Sequence, residues 1–163
     1  MKPKFALLVL TLLFMSLSAD SQDVAAVRAL DQWVGTWKTV KQTVITPTAT
    51  TDNAPNATLK IERSGNRLIW TAEIIDANGT TRTKVSAPLD GKDYPVEGGA
   101  ATVSSYSYTR IDDRTILRRD KPGDPFHRTV LYILTADGKR ITSSSIDTSQ
   151  PQTQTQSTFR ERQ

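Results

Sequence analysis

The chain has 163 residues, a formal net charge of +4 at pH 7 and no cysteine. A chain of this length can form one domain with a sizeable core. The absence of cysteine excludes disulfide bonds and thiolate metal sites, and so small a positive charge does not predict nucleic-acid binding, which needs a clustered basic face.

Residues 1–19 have the features of a secretory signal peptide. Two lysines precede an apolar run from Phe5 to Phe14, and small residues follow as far as Ala19. The run is too short to cross a bilayer, which takes roughly 20 residues, and the sequence holds no second such stretch. We therefore expect a domain of residues 20–163 that is secreted or periplasmic, with no transmembrane anchor.

The pattern of apolar residues changes once along the remaining chain. From Asp23 to Trp33 it has helical spacing and predicts one short helix, whereas the later segments are rich in Thr, Val, Ile and Tyr, as strands are. Between the first two strands, Thr46 to Asn56 contains two prolines and predicts a long surface loop, either a lid over one mouth or an inert crossing. The predicted strands are Thr36–Ile45, Ala57–Ser64, Arg67–Asp76, Thr80–Ala87, Asp93–Val96, Thr102–Ile111, Thr115–Asp120, His127–Thr135, Arg140–Asp147 and Thr153–Glu161.

Short connections join nearly all of these strands. Turns such as Ser64-Gly65-Asn66 and Asp137-Gly138-Lys139 supply glycine or asparagine where a tight hairpin needs positive φ. Each strand is therefore expected to pair with the next. We predict an all-β fold, an up-and-down antiparallel β-barrel of about eight to ten strands with a short N-terminal helix, because closure leaves no strand edge unpaired.

Three motifs resemble a group of small secreted bacterial lipocalin-like proteins of unknown function, within the wider calycin group. They are the G-T-W-K segment at Gly35 to Lys38, the D-G-K-D-Y-P-V-E-G segment at Asp90 to Gly98, and the L-T-A-D-G-K turn at Leu134 to Lys139. The resemblance implies a barrel that can hold one small apolar ligand in its interior.

The resemblance also implies how the barrel closes. Trp37 is expected to fill the narrow end beside Gly35, with an arginine from the end of the chain over its indole ring. We predict Arg160 for this contact and Arg162 as the second candidate.

Tyrosine and arginine side chains share faces of the central strands. Tyr106, Tyr108 and Arg110 alternate on one face of their strand, and Trp70 and Arg118 lie on strands of mixed polarity. A part-polar cavity would produce this mixture, and so would Tyr and Arg residues that face solvent. An inward arginine could hold a ligand carboxylate. The candidate cavity residues are Trp70, Tyr94, Tyr106, Tyr108, Arg110 and Arg118.

The sequence contains one histidine, His127, and no recognisable catalytic motif. A zinc site needs three or four ligands, and no G-x-S-x-G or H-E-x-x-H segment is present. We therefore predict no metal, no cofactor and no enzymatic activity.

Three functional hypotheses follow. The first is a binding protein for a small, partly apolar or amphipathic molecule. The second is an envelope-associated structural or protein-interaction module that uses the outer wall, with an unknown protein partner. The third is an enzyme on a calycin barrel, with His127 or Arg118 acting at one mouth.

Overall fold

The computed structural model describes residues 29–99, 103–121, 128–147 and 154–163. The predicted signal peptide, the start of the predicted helix and His127 lie outside them. Residues 29–31 are helical and a turn follows at 32–33, so the helix ends before Trp33, which was predicted to be its last residue. None of the helical structure in this described part has the length and apolar character that a membrane span requires.

Twelve strands form within the described residues. Every predicted strand corresponds to one of them, and three have the predicted bounds. The strands are β1 (Gly35–Ile45), β2 (Thr50–Asn53), β3 (Asn56–Ser64), β4 (Arg67–Asp76), β5 (Gly79–Ala87), β6 (Asp90–Pro95), β7 (Glu97–Gly98), β8 (Ser105–Asp112), β9 (Thr115–Asp120), β10 (Arg128–Leu134), β11 (Arg140–Asp147) and β12 (Gln154–Arg162).

The strands form one antiparallel sheet that curls into a nearly closed, up-and-down barrel, as predicted. Its order is β6-β8-β9-β10-β11-β12-β1-β3-β4-β5-β7, so the last strand pairs with the first. This β12–β1 pair runs from Trp37 opposite Arg162 to Ile45 opposite Thr155, with an irregularity between Thr39 and Lys41. The last strand and the first strand are therefore hydrogen-bonded to each other along the full height of the barrel.

The two ends of the sheet are joined by a single stretch of chain, residues 90–98. On one side Tyr94 pairs with Tyr106 of β8, and on the other Lys84 of β5 pairs with Glu97. Gly98 has a φ of +72°, and a side chain there would overlap the carbonyl oxygen of Arg82. Glycine is needed at this position because β7 lies directly against β5 where the barrel closes.

The predicted long loop is partly a strand. Residues Thr50–Asn53 form β2, which pairs with the second half of β1, from Gln42 opposite Asn53 to Ile45 opposite Thr50. The turn between them is closed by the Thr46 amide, which donates to the Ala49 carbonyl at 2.8 Å. The threonine-rich sequence favours an extended backbone, which the two flanking prolines did not prevent.

Side chains alternate between the interior and the outer wall. In β11, Ile141, Ser143 and Ser145 are buried, while Ser144 and Ile146 between and beyond them are exposed. The barrel has two ends. Residues 29–37 cover the interior at the closed end, and the turns at 46–49 and 76–79 lie at the open end. The apolar core fills the closed half and leaves room toward the open end.

Candidate functional site

The closed end is sealed by Trp37 and the end of the chain. The Trp37 side chain is fully buried, and its indole N–H donates to the Trp33 carbonyl at 3.1 Å. The Arg162 guanidinium lies 4.2 Å from the centre of the Trp37 ring. It also donates to three backbone carbonyls, those of Val34 and Gln32 at 2.6 Å and that of Gly138 at 2.9 Å. Arg162 therefore joins the N-terminal segment, the last turn and the floor of the barrel.

This arrangement corrects the prediction that Arg160 lies over the indole ring of Trp37 at the closed end. Thr158 is buried and Phe159 is exposed, so β12 places Arg160 and Arg162 on its inner face. Arg162 covers Trp37, while Arg160 lies further up the barrel and lines its interior. Gly35 belongs to the closure because a side chain there would meet the Arg162 guanidinium at 3.0 Å.

A cavity of about 390 Å³ lies between the core and the open end. This volume is in the range of sites for small organic ligands, roughly 300–1,000 Å³. One wall is mainly apolar and comes from β3, β4 and β5, and the opposite wall is phenolic and cationic. The lining residues used below are Leu59, Trp70, Ala72, Ile74 and Val85 on the first wall, and Tyr106, Tyr108, Arg118, Arg128, Tyr132 and Arg160 on the second.

Stacked aromatic rings form the floor of the cavity. Trp70 stacks on Tyr108 with the ring centres 5.0 Å apart and the planes 18° from parallel, and Tyr132 lies 5.3 Å away at a tilt. Tyr106 meets Tyr108 edge-on at 6.3 Å. Burial raises the pKa of Tyr106 and of Tyr108, so both phenols are neutral at pH 7. The floor of the cavity therefore presents apolar ring faces and neutral phenol hydroxyls to a ligand.

Arg118 of β9 projects into the cavity beside these rings. Its guanidinium carbon lies 4.1 Å from the centre of the Tyr106 ring, and Nη1 donates to the Tyr132 hydroxyl at 3.3 Å. Nη2 lies 3.1 Å from a carboxylate oxygen of Asp120, which is itself buried. Three neighbouring strands thus fix the direction of this side chain.

A second ion pair lies beside the first. Arg128 Nη2 of β10 is 3.5 Å from Asp147 Oδ2 of β11, and the Asp147 side chain is 6% exposed. Burial raises the pKa of Asp120, against the opposing effects of Arg118 and Arg128. Two guanidiniums therefore line the open half of the cavity with their carboxylate partners behind them.

Arg160 is the third cation of the cavity, and its surroundings differ. Its Nη1 donates to the Ser143 hydroxyl at 2.8 Å, but none of the ion pairs among the described residues includes Arg160. Burial lowers the pKa of Arg160, yet an arginine remains protonated at any physiological pH. The cavity thus contains a positive charge that no described carboxylate neutralises.

The structure brings Trp70, Tyr106, Tyr108 and Arg118 together around the cavity and places two other predicted cavity residues elsewhere. The Tyr94 hydroxyl donates to Asp90 at 2.9 Å, and the ring lies under the Arg67 guanidinium. Arg110 forms an ion pair with Asp113. Arg110 is two residues beyond Tyr108, and this spacing carries it past the cavity to the turn at the closed end.

Sequence reasoning missed Arg128 and Tyr132, and it assigned Arg160 a different role. The alternation of Val130, Tyr132 and Leu134, all buried, would have placed Tyr132 inside. The same alternation places Arg128 on this inner face, two residues before Val130.

No protein-family model matches the chain, and the comparison with curated proteins gives no match. Among solved structures, the S-type phycobiliprotein lyase CPES from Guillardia theta is similar, at 12% sequence identity and a TM-score of 0.55. The match covers 82% of this chain and 90% of that chain. Because the identity is low, this likeness concerns the fold, which is a lipocalin-like barrel.

The likeness corrects one prediction. We predicted no enzymatic activity because the sequence shows no catalytic motif, yet the similar barrel is described as a lyase. The prediction is wrong because it treated this barrel only as a carrier, whereas the same fold has an enzyme-like function. A barrel can assemble a reactive site from side chains on separate strands, which leaves no contiguous motif.

Proposed function

We propose that this protein is an exported lipocalin-like barrel that binds a small amphipathic acid. The acidic group of the ligand lies near Arg160, and its apolar part lies against the wall formed by Trp70, Leu59 and Val85. Both parts of the proposal follow from the side chains that line the cavity.

The uncompensated charge of Arg160 carries the proposal. A buried charge is costly unless it is paired, and the Ser143 hydroxyl supplies one neutral acceptor for a group with five N–H donors. A ligand carboxylate or another anion would supply the missing charge and accept two of the remaining N–H groups in parallel. The site is therefore suited to an anion and poorly suited to a cation.

The apolar wall supports the second half of the proposal. Leu59, Val85 and Trp70 are each at most 6% exposed, and Ala72 and Ile74 extend the same surface toward the open end. A ligand that buries a hydrocarbon or aromatic group here gains roughly 25 cal/mol per Å² of apolar surface removed from water. A filled interior would favour the hypothesis of an interaction module on the outer wall, and the cavity counts against that hypothesis.

Binding can be tested with three probes of equal chain length, decanoate, decanol and decylamine, using tryptophan fluorescence and native mass spectrometry. We expect decanoate to bind on the order of tenfold more tightly than decanol, and decylamine to bind weakest. The Arg160→Met variant should lose the preference for decanoate. Arg140→Met is the matched control, because Arg140 lies on the outer wall of the neighbouring strand, with its side chain 68% exposed.

Equal binding of decanoate and decanol to the unmodified protein, or no binding of any probe, would refute the proposal. Loss of the preference in Arg140→Met as well would refute the role of Arg160.

Export is supported by the sequence of residues 1–19, in which two lysines, an apolar run and small residues follow in the order of a signal peptide. The test is the mass of the mature protein recovered from the cell envelope and the culture medium. We expect a first residue at Ala19 or Asp20. An intact chain that begins at Met1 and stays in the cytoplasm would contradict export.

A reaction on the bound molecule is a second candidate, because Arg118 donates to the phenol of Tyr132 inside the cavity. A phenol that hydrogen-bonds to a guanidinium is a competent proton donor to a neighbouring ligand. The test is mass spectrometry of the ligand that copurifies with the protein and with Tyr132→Phe. If the unmodified protein yields a reaction product and Tyr132→Phe does not, this candidate is supported. An identical ligand in both proteins refutes it.

A further inference from the structure

We infer that the cavity selects ligands that carry a single negative charge, and that Asp120 and Asp147 set this selectivity. The inference rests on the proposed binding of an anionic ligand and specifies its charge. It depends on the balance of charges in the cavity wall.

Two of the three cavity cations are already neutralised. Arg118 lies 3.1 Å from Asp120, and Arg128 lies 3.5 Å from Asp147. Both carboxylates are almost fully buried, with side chains 3% and 6% exposed, so bulk water does little to screen them. The ligand therefore meets two neutral pairs.

Arg160 contributes the remaining charge. Glu73 also lies at the cavity wall, but it is 3.8 Å from Arg82 and both side chains are more exposed, so this pair adds no net charge. Among the described residues, three guanidiniums less two carboxylates leave one positive charge around the cavity. A monoanion makes the occupied site neutral, whereas a dianion leaves one negative charge in a place shielded from solvent.

The cost of that extra charge gives the expected selectivity. A buried charge without a partner is costly, and the second charge of a dianion would give up its hydration without meeting a further unpaired cation. We therefore expect a monoanion to bind roughly tenfold or more tightly than a dianion of the same shape. Removing one buried carboxylate should cancel or reverse this preference.

Decyl sulfate and decyl phosphate are suitable probes, because they share an alkyl chain and a tetrahedral head group but carry one and nearly two negative charges at about pH 8. We expect the unmodified protein to prefer decyl sulfate about tenfold. Asp120→Asn and Asp147→Asn should each shift the ratio toward decyl phosphate by about tenfold. Asp93→Asn, which removes an exposed carboxylate on β6, makes the same change in total charge and should leave the ratio unchanged.

The double variant Arg118→Gln/Asp120→Asn restores the original balance and should restore the preference for decyl sulfate. If a single variant fails to fold, the ratio of the two probes on the unmodified protein still decides. Equal binding of decyl sulfate and decyl phosphate to the unmodified protein would overturn the inference. So would a change in their affinity ratio that is as large in Asp93→Asn as in Asp120→Asn. Neither result would contradict the binding of an anion. Failure of both anions to bind better than decanol would overturn the proposed function itself.

Discussion

Arg162 is the penultimate residue of the chain, and its guanidinium covers the indole of Trp37, near the beginning of the first strand, at 4.2 Å. The same group donates to the carbonyls of Gln32 and Val34. One side chain thus holds the N-terminal segment, the floor of the barrel and the last strand together. This contact makes the stability of the barrel depend on its last few residues.

We predict that Arg162→Met lowers the free energy of unfolding by about 2 kcal/mol, because it removes charge-assisted hydrogen bonds and a cation–π contact. Arg162→Lys keeps the charge but loses the planar fork of donors, so its effect should be nearly as large. Urea unfolding at neutral pH measures both. Arg162→Met with unchanged stability would show that the contact contributes nothing.

The second prediction concerns Gly98 of β7, where the barrel closes. Gly98 and Gly65 have similar φ values, +72° and +62°, but a side chain at Gly98 would overlap the Arg82 carbonyl, and one at Gly65 meets no atom within 4 Å. Gly65→Ala should therefore cost about 1 kcal/mol of stability for its backbone conformation alone, and Gly98→Ala at least twice as much. Equal unfolding midpoints for the two variants would contradict the close approach of β7 to β5.

A third prediction compares two buried tryptophans. Trp37 and Trp70 are 0% and 2% exposed, but only the indole N–H of Trp37 has a hydrogen-bond partner among the described residues. Trp37→Phe therefore leaves the buried Trp33 carbonyl without its donor and should cost about 1–2 kcal/mol more than Trp70→Phe, since the loss of volume is the same. Chemical denaturation of both variants tests the difference. A larger loss for Trp70→Phe would contradict it.

The fourth prediction concerns pH. Burial raises the pKa of Asp120 above its unfolded value of 3.8, with Arg118, Arg128 and Asp147 facing it. The folded state therefore binds a proton more readily than the unfolded state, and this group contributes more stability as the pH falls from neutrality toward about 4. Exposed acids such as Asp52 and Asp137, whose pKa values are lowered by hydrogen bonds, act in the opposite direction.

Asp120→Asn should accordingly lose more stability than the unmodified protein when the pH is lowered over this interval. Unfolding by urea at several pH values measures it, with Asp93→Asn as the control on the exposed surface. Identical pH profiles for Asp120→Asn and the unmodified protein would show that Asp120 does not titrate in this range.

The sequence by itself determined the barrel, because period-two alternation and glycine or asparagine turns are local properties. They fixed the bounds of β4, β9 and β11 and implied that each strand pairs with its neighbour. They did not predict β2, because this threonine-rich segment was expected to be a loop but pairs with β1. The position of Trp37 at the closed end also agrees with the family resemblance.

Only the tertiary structure decided the composition of the site. The choice between Arg160 and Arg162 depended on the inner face of β12. Alternation along β10 could indicate that Arg128 and Tyr132 point inward, but only the closed barrel shows that they meet the apolar wall of β3, β4 and β5 in one cavity. The charge balance of Arg118, Arg128 and Arg160 against Asp120 and Asp147 comes from four strands. Local sequence cannot specify such a balance, because it arises only when the barrel brings side chains of different strands to one cavity.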